Sequence, residues 1–347
     1  MSLARAIATG DATLLPSRRD EAWRWSDIRG YLRQIPPASP EGAGWAWDEA
    51  FSGLTAHEVT IVNGRGPTDL SIEAGERRVV AWRFLSASER TAHAAELWVS
   101  LAPGAHLTLL ESYEGGAVGY VCDTAVHIEV AAGASLERIV VCADEAEAVS
   151  VSHAEVKLQP GARFAQTVLT TGGRRQRTET VVHHPGGGAA VRMDGVYVLG
   201  GQRHADITTA VTHEGLDGET SQMIKGVVGG HGRGVFQGRI VVAQGADKTD
   251  ARMRHDALLL SDTAEVDAKP ELEIYADDVS CAHGNTVGAL DDEALFYARA
   301  RGIPLEAART MLTAAFVAEV VDRIEHEAVR GAARAWVERR LAQQVVG

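Results

Sequence analysis

The chain of 347 residues carries only three cysteines, Cys122, Cys142 and Cys281. They are too few and too far apart for a disulfide framework or a self-contained four-ligand metal site. A reducing compartment, the cytoplasm, is the expected home. Basic residues are also scarce: 34 Lys and Arg stand against 47 Asp and Glu, a formal net charge of −13. That balance argues against nucleic acid or an anionic membrane as partner, since both need a basic footprint. No apolar run approaches a membrane span, and the opening residues MSLARAIATGDATLLPSRRDE lack a signal-peptide core. There is no G-x-x-x-x-G-K-[ST] loop to cradle a nucleoside triphosphate. H-E-x-x-H, G-x-S-x-G and C-x-x-C are absent too, which removes the usual signatures of zinc peptidases, serine hydrolases and dithiol oxidoreductases.

What is present is a rhythm. From about residue 56, short runs rich in Val, Ile, Leu and Thr alternate with glycine turns, as in HEVTIVNG, SLERIVVCA and GRIVVAQG. The glycines of Pro103-Gly104-Ala105, Ala132-Gly133-Ala134 and Pro160-Gly161-Ala162 lie 29 and 28 residues apart. Gly187, Gly215 and Gly245 continue the beat at 26, 28 and 30. Such a period marks a repeat architecture, in which each unit buries its apolar face only against its neighbours. Two strands of about five to six residues and two turns fit one period. The expected fold is therefore mainly β, a flattened β-helix (two-sheet solenoid) over residues 56–288. A jelly roll has no reason to space its turns so evenly.

Helices are expected on both sides, over residues 1–55 and 289–347. Ser17 is placed to cap a helix carrying Arg18 to Trp25, and at least one of Trp23 and Trp25 should dock on a neighbouring element. Prolines 36, 37 and 40 end that region, and GAGWAWDEAF follows. After the β-rich part, Asp291 is placed to cap a helix that Gly302 stops. Pro304 suits the first turn of a longer helix, in which Leu312, Phe316, Val320 and Ile324 form an apolar stripe. A final amphipathic helix carries Trp336, Val337 and Leu341.

Candidate chemistry is sparse. Cys122 and Cys142 lie in apolar runs and read as small core hydrophobes. His204, His213 and His231 are spread over more than one repeat and read as surface or turn residues, as does the His183-His184 pair before Pro185. The exception is Cys281 and His283. Separated by one residue in an extended segment, they point to the same face and make a half-site of two soft or borderline ligands. Partners from elsewhere must complete it.

The words around that pair, KPELEIYADDVSCAHGNTVGALDDEALFYARARGI, resemble the C-terminal signature of the SufB/SufD family of iron–sulfur cluster assembly. HADITTAVTHEG, SQMIKGVVGGHGRGVFQGRIVV and DKTDARMRHDALLLS resemble its β-domain, and LPSRRDEAWRWSDIR its N-terminal motif. The similarity runs from about residue 15 to about 325, and the missing N-terminal cysteine cluster points to the SufD branch. It implies a right-handed parallel β-helix and a non-catalytic scaffold subunit that pairs with a SufB-like subunit and a SufC-like ATPase. A nascent Fe–S cluster, transient and not tightly held by the isolated chain, is implied at the SufB–SufD interface. His283 maps onto the family's histidine there, and Cys281 onto the adjacent cysteine. The C-terminal helices, with Leu295, Phe296, Leu312, Phe316 and Val320, are the implied dock for the ATPase. Ala257 stands where the family favours asparagine. Ser280, Ala282 and Asn285 stand where lysine, serine and alanine are commoner. Lys248-Thr249-Asp250 is intact and reads as a turn.

The rival reading is a β-helix enzyme acting on a polysaccharide or an acyl substrate. An acyltransferase of this type needs a much shorter repeat. A polysaccharide enzyme needs a carboxylate cluster, for which Glu271, Glu273 and Asp277 share one face of a regular strand. Whether the isolated chain is a monomer or a homodimer, and whether it holds iron or a flavin, stays open at this level.

Overall fold

The computed structural model describes residues 2–42 and 50–345. Most of the GAGWAWDEAF stretch lies outside them. Among the described residues, seventeen strands run from β1 (Glu58–Val62) to β17 (Ser280–Gly288), and each step in sequence crosses to the other sheet. The odd strands form one nine-stranded parallel sheet and the even strands an eight-stranded one. This is the two-sheet solenoid that the glycine rhythm implied. The register follows the period: Arg77 pairs with His106, His106 with Ser135 and Ser135 with Arg163. Turn glycines Gly104, Gly133 and Gly161 have φ of 69°, 67° and 72°, a conformation costly for any side chain. Gly215 serves differently. A Cβ there would stand 2.1 Å from the Pro185 carbonyl, so glycine permits two loops to touch.

Alternation along each strand places one set of side chains between the sheets. Trp82, Leu109, Val140, Phe164, Met193, Ile207 and Phe236 build that interior. A second apolar cluster lies outside the odd sheet. There Ile139, Leu169 and Val196 pack against Val317 and Val320 of α3 (Leu305–Val321) and Trp336 and Leu341 of α4 (Glu327–Val345). A third cluster fastens α1 (Leu3–Thr9) to the even sheet through Leu3, Ala6, Val121 and Val149. No helix among the described residues is long and apolar enough to cross a membrane.

The helix expected from Arg18 to Trp25 is instead one 3-10 turn, Glu21–Trp23. Ser17 caps nothing there, and its backbone N–H and hydroxyl donate to the Asp20 carboxylate. Tertiary contacts have taken the carbonyls that a helix would use internally. The Ala22 oxygen accepts from Arg177 (2.7 Å) and Gln237 (3.2 Å), and the Trp25 oxygen lies 3.0 Å from His204 Nε2. Trp23 docks under the Arg177 guanidinium, 4.3 Å from ring centroid to Cζ. The segment is thereby strapped across the outer face of the even sheet.

Candidate functional site at the open end of the solenoid

The last rung, β16 (Glu265–Ile274) and β17, is hydrogen-bonded on one side only, to β14 (Arg233–Val242) and β15 (Asp250–Leu259). Seven of the nine residues of β17 are exposed, whereas the rungs behind it are largely buried. Pro270 is tolerated in β16 because an edge strand can forgo a ladder donor. An uncovered edge of this length is a template for pairing with another chain.

Cys281 pairs in register with Ala251, and His283 with Met253. Both partners are buried in the interior cluster, so the two candidate ligands lie on the core-facing side of the strand, at the mouth of the solenoid. Cys281 is half-buried against that cluster and His283 is exposed. Burial pushes the Cys281 thiol upward, with the nearby Asp250 charge adding to it and a backbone hydrogen bond to Ala251 opposing. A metal or a cationic partner would have to lower it before the thiolate forms. Among the described residues no three His, Cys, Asp or Glu side chains are grouped to hold a metal ion. Cys281 and His283 by themselves offer two donor side chains, fewer than the four that a tetrahedral iron site uses.

Cys122 and Cys142 are buried, and desolvation raises both thiols steeply. Glu271 and Glu273 are ion-paired, with Lys269 (3.1 Å) and Arg239 (3.7 Å) respectively. Lys269 also reaches Glu21 of the strap at 2.8 Å.

The helical candidates divide. Asp291 caps α2 (Asp292–Ala300) through the N–H groups of Glu293 and Ala294. On it Phe296 is 75 % exposed beside Tyr297, and Leu295 is half-buried. Leu312 of α3 is half-buried, while Phe316 packs toward the second cluster under the Lys225 ammonium. Val320 is fully buried against the odd sheet. The stripe therefore mixes two faces, and Val320 offers no surface to a partner. The buried histidines were missed. His184 stacks on His213 at 4.3 Å, and both are closed off from solvent, as is His204. His231 is exposed. The pairs of rungs that bring His184 beside His213 lie 29 residues apart, beyond any local pattern.

Fold and site together define a parallel β-solenoid with an unpaired terminal edge that carries Cys281 and His283 on its core-facing side. Residues 84–316 match the family described as SUF system FeS cluster assembly, SufBD core domain, and the chain belongs to that SufB/SufD family, on its SufD side. It is similar to the iron–sulfur cluster assembly protein SufD of Escherichia coli, 34 % identical over 70 % of this chain and 58 % of that protein. SufD of Bacillus subtilis is 33 % identical over 42 % of this chain and 33 % of its own length. A SufBD family protein of Mycobacterium leprae is 29 % identical over 95 % of this chain and 92 % of its own. The matches to the two SufD proteins span less than two thirds of those proteins' length.

Proposed function

We propose that this chain is a non-catalytic, cytoplasmic scaffold subunit for building iron–sulfur clusters, acting as a SufD-like protein beside a SufB-like subunit and a SufC-like ATPase. The observation that carries the reading is the exposed last rung, with Cys281 and His283 side by side at its mouth. Membership of the SufB/SufD family supplies the chemistry. The solenoid of the SufB-like subunit adds to the β16–β17 end and brings the ligands this chain lacks. The cluster is cargo, held at the joint by His283, with Cys281 as second donor or close neighbour. A half-site suits a scaffold, because parting the two solenoids dismantles the coordination sphere and releases the product. Without that partner, the same edge is available to a second copy of this chain. The ATPase docks on the helical region through Phe296, Leu295 and Leu312, with α3 and α4 tying that region to the odd sheet.

The ion pairs on Glu271 and Glu273 speak against the polysaccharide-enzyme alternative, which needs free carboxylates flanking a groove. The test is co-expression with SufB-like and SufC-like proteins from one source, comparing wild type with His283→Ala. The variant should form the complex and melt like wild type, since exposed positions usually cost no more than about 0.5 kcal/mol, yet lose most of its cluster yield. Undiminished yield with His283→Ala would sink the assignment.

A further inference from the structure

A line of side chains leads from the solenoid interior to the open end, and no single rung contains it. Tyr197 of β11 (Ala190–Leu199) is fully buried. Its ring crosses the whole of the next odd strand, β13 (Glu219–Val228), to reach β15, where its hydroxyl lies 2.8 Å from His255 Nε2. Two glycines open that path. A Cβ on Gly226 would stand 2.0 Å from the Tyr197 ring and one on Gly234 2.4 Å. Both belong to the glycine-rich SQMIKGVVGGHGRGVFQGRIVV stretch. The His255 imidazole is itself fully buried, stacked on Phe236 at 5.1 Å. Its Nδ1 lies 2.6 Å from Asn285 Oδ1, on the terminal strand.

Donor and acceptor roles follow. The Asn285 oxygen can only accept, so His255 carries its proton on Nδ1 and its Nε2 accepts a hydrogen bond from the Tyr197 hydroxyl. With Oδ1 held toward the rung behind, the planar carboxamide turns its NH2 group toward the uncovered end. No acceptor among the described residues takes it. Asn285 is two residues from His283 and four from Cys281, on the same core-facing side of β17.

We propose that Asn285 is a further contact residue of this end. Its NH2 group, fixed by His255 and Tyr197, donates to an anionic sulfur, thiolate or sulfide, of the cluster cargo bound at His283. The proposal rests on the cluster-scaffold reading. His255 and Tyr197 act through Asn285 and are positioning residues. Hydrogen bonds to cluster sulfurs stabilise the more negative, reduced state and raise the reduction potential.

The experiment uses the full chain in complex with SufB-like and SufC-like partners, reconstituted anaerobically with ferrous iron and sulfide. For Asn285→Ala, cluster loading, partner binding and the potential of the cluster that does assemble are measured side by side. Its reduction equilibrium should shift about tenfold toward the oxidised form, ~59 mV for one electron. Asn285→Asp, which accepts without donating, should shift it further the same way. Tyr197→Phe keeps the ring packing and frees the imidazole, so it should move the potential in that direction by less. In the isolated chain, NMR should show the His255 imidazole N–H signal displaced in Asn285→Ala at an unchanged melting temperature. An unchanged potential with weakened partner binding would overturn the sulfur contact, leaving a bond to the partner's main chain. An unchanged potential with unchanged binding overturns it as well. Wild-type cluster yield from His283→Ala would instead fell the scaffold reading, a separate outcome.

Discussion

The interior of the solenoid contains an ion pair that should dominate its stability to mutation. Arg138, 1 % exposed, places Nε and Nη2 2.6 Å from the two oxygens of Glu111, which is 0 % exposed. The remaining valences are used: Arg138 Nη1 donates to Gln166 Oε1 at 2.6 Å, and the Tyr113 hydroxyl donates to Glu111 at 3.0 Å. Gln166 in turn contacts Thr180 on the opposite sheet. Replacing Arg138 with Met keeps an apolar stem of similar length but leaves a buried carboxylate without its cation. Breaking such a pair costs about 3–5 kcal/mol, whereas removing both charges is often neutral or stabilising. With a urea slope of ~3 kcal/mol per molar, Arg138→Met should lower the unfolding midpoint by about 1–1.7 M. The double variant Arg138→Met/Glu111→Leu should recover most of that loss, followed by far-UV circular dichroism. A single variant costing less than about 1 kcal/mol, or a double variant no better than the single, would refute the reasoning. Water or a shifted side chain would then be compensating Glu111, and the ion pair would not be what specifies this layer.

Three further outcomes are expected. Burial holds the His213 imidazole down to about 3, with the stacked His184 adding to it, and burial lowers His184 as well. His213 is neutral in the folded state, so its stabilising effect is full above the unfolded value near 6.5 and is lost as pH falls from there toward 3, by ~1.4 kcal/mol per pH unit; His213→Gln should flatten melting temperature against pH between 6 and 4. Gly226→Ala sets a Cβ against the Tyr197 ring and should destabilise by about 1–3 kcal/mol, as overpacking does, and Tyr197→Leu in the same chain should relieve it in thermal melts. Phe296→Glu should leave the melting temperature unchanged, because the ring is exposed, while reducing recovery of a SufC-like ATPase in pull-down; full recovery would move the dock elsewhere.

Much of the molecule was legible in its residues. The near-even glycine spacing encodes the rungs because every coil of a solenoid must close with a turn, and turn φ above zero selects glycine. The Asp291 cap and the arrest of α2 near Gly302 are local events, decided within one helical turn. That Cys281 and His283 share a face follows from strand pleat alone.

Contacts between rungs were decided elsewhere. Paired residues lie 23 to 32 apart, as in Glu58–Ala81 and Arg233–Glu265, and a slip of one residue turns every side chain of a strand to the other face. Sequence period is too coarse to state which histidines meet, so the His184–His213 stack and the Tyr197–His255–Asn285 line emerge only when coils are in register. The same holds where long-range bonds outbid local preference: Arg177 and Gln237 draw the Ala22 carbonyl into the sheet and leave one turn of the expected N-terminal helix. Val320 lies on a legible apolar stripe, but only the docking of α3 on the odd sheet decides that this part of the stripe faces inward. Local physics determined the coils, the Asp291 cap and the shared face of Cys281 and His283; which side chains meet across coils, and which edge stays open, depended on closing the whole solenoid.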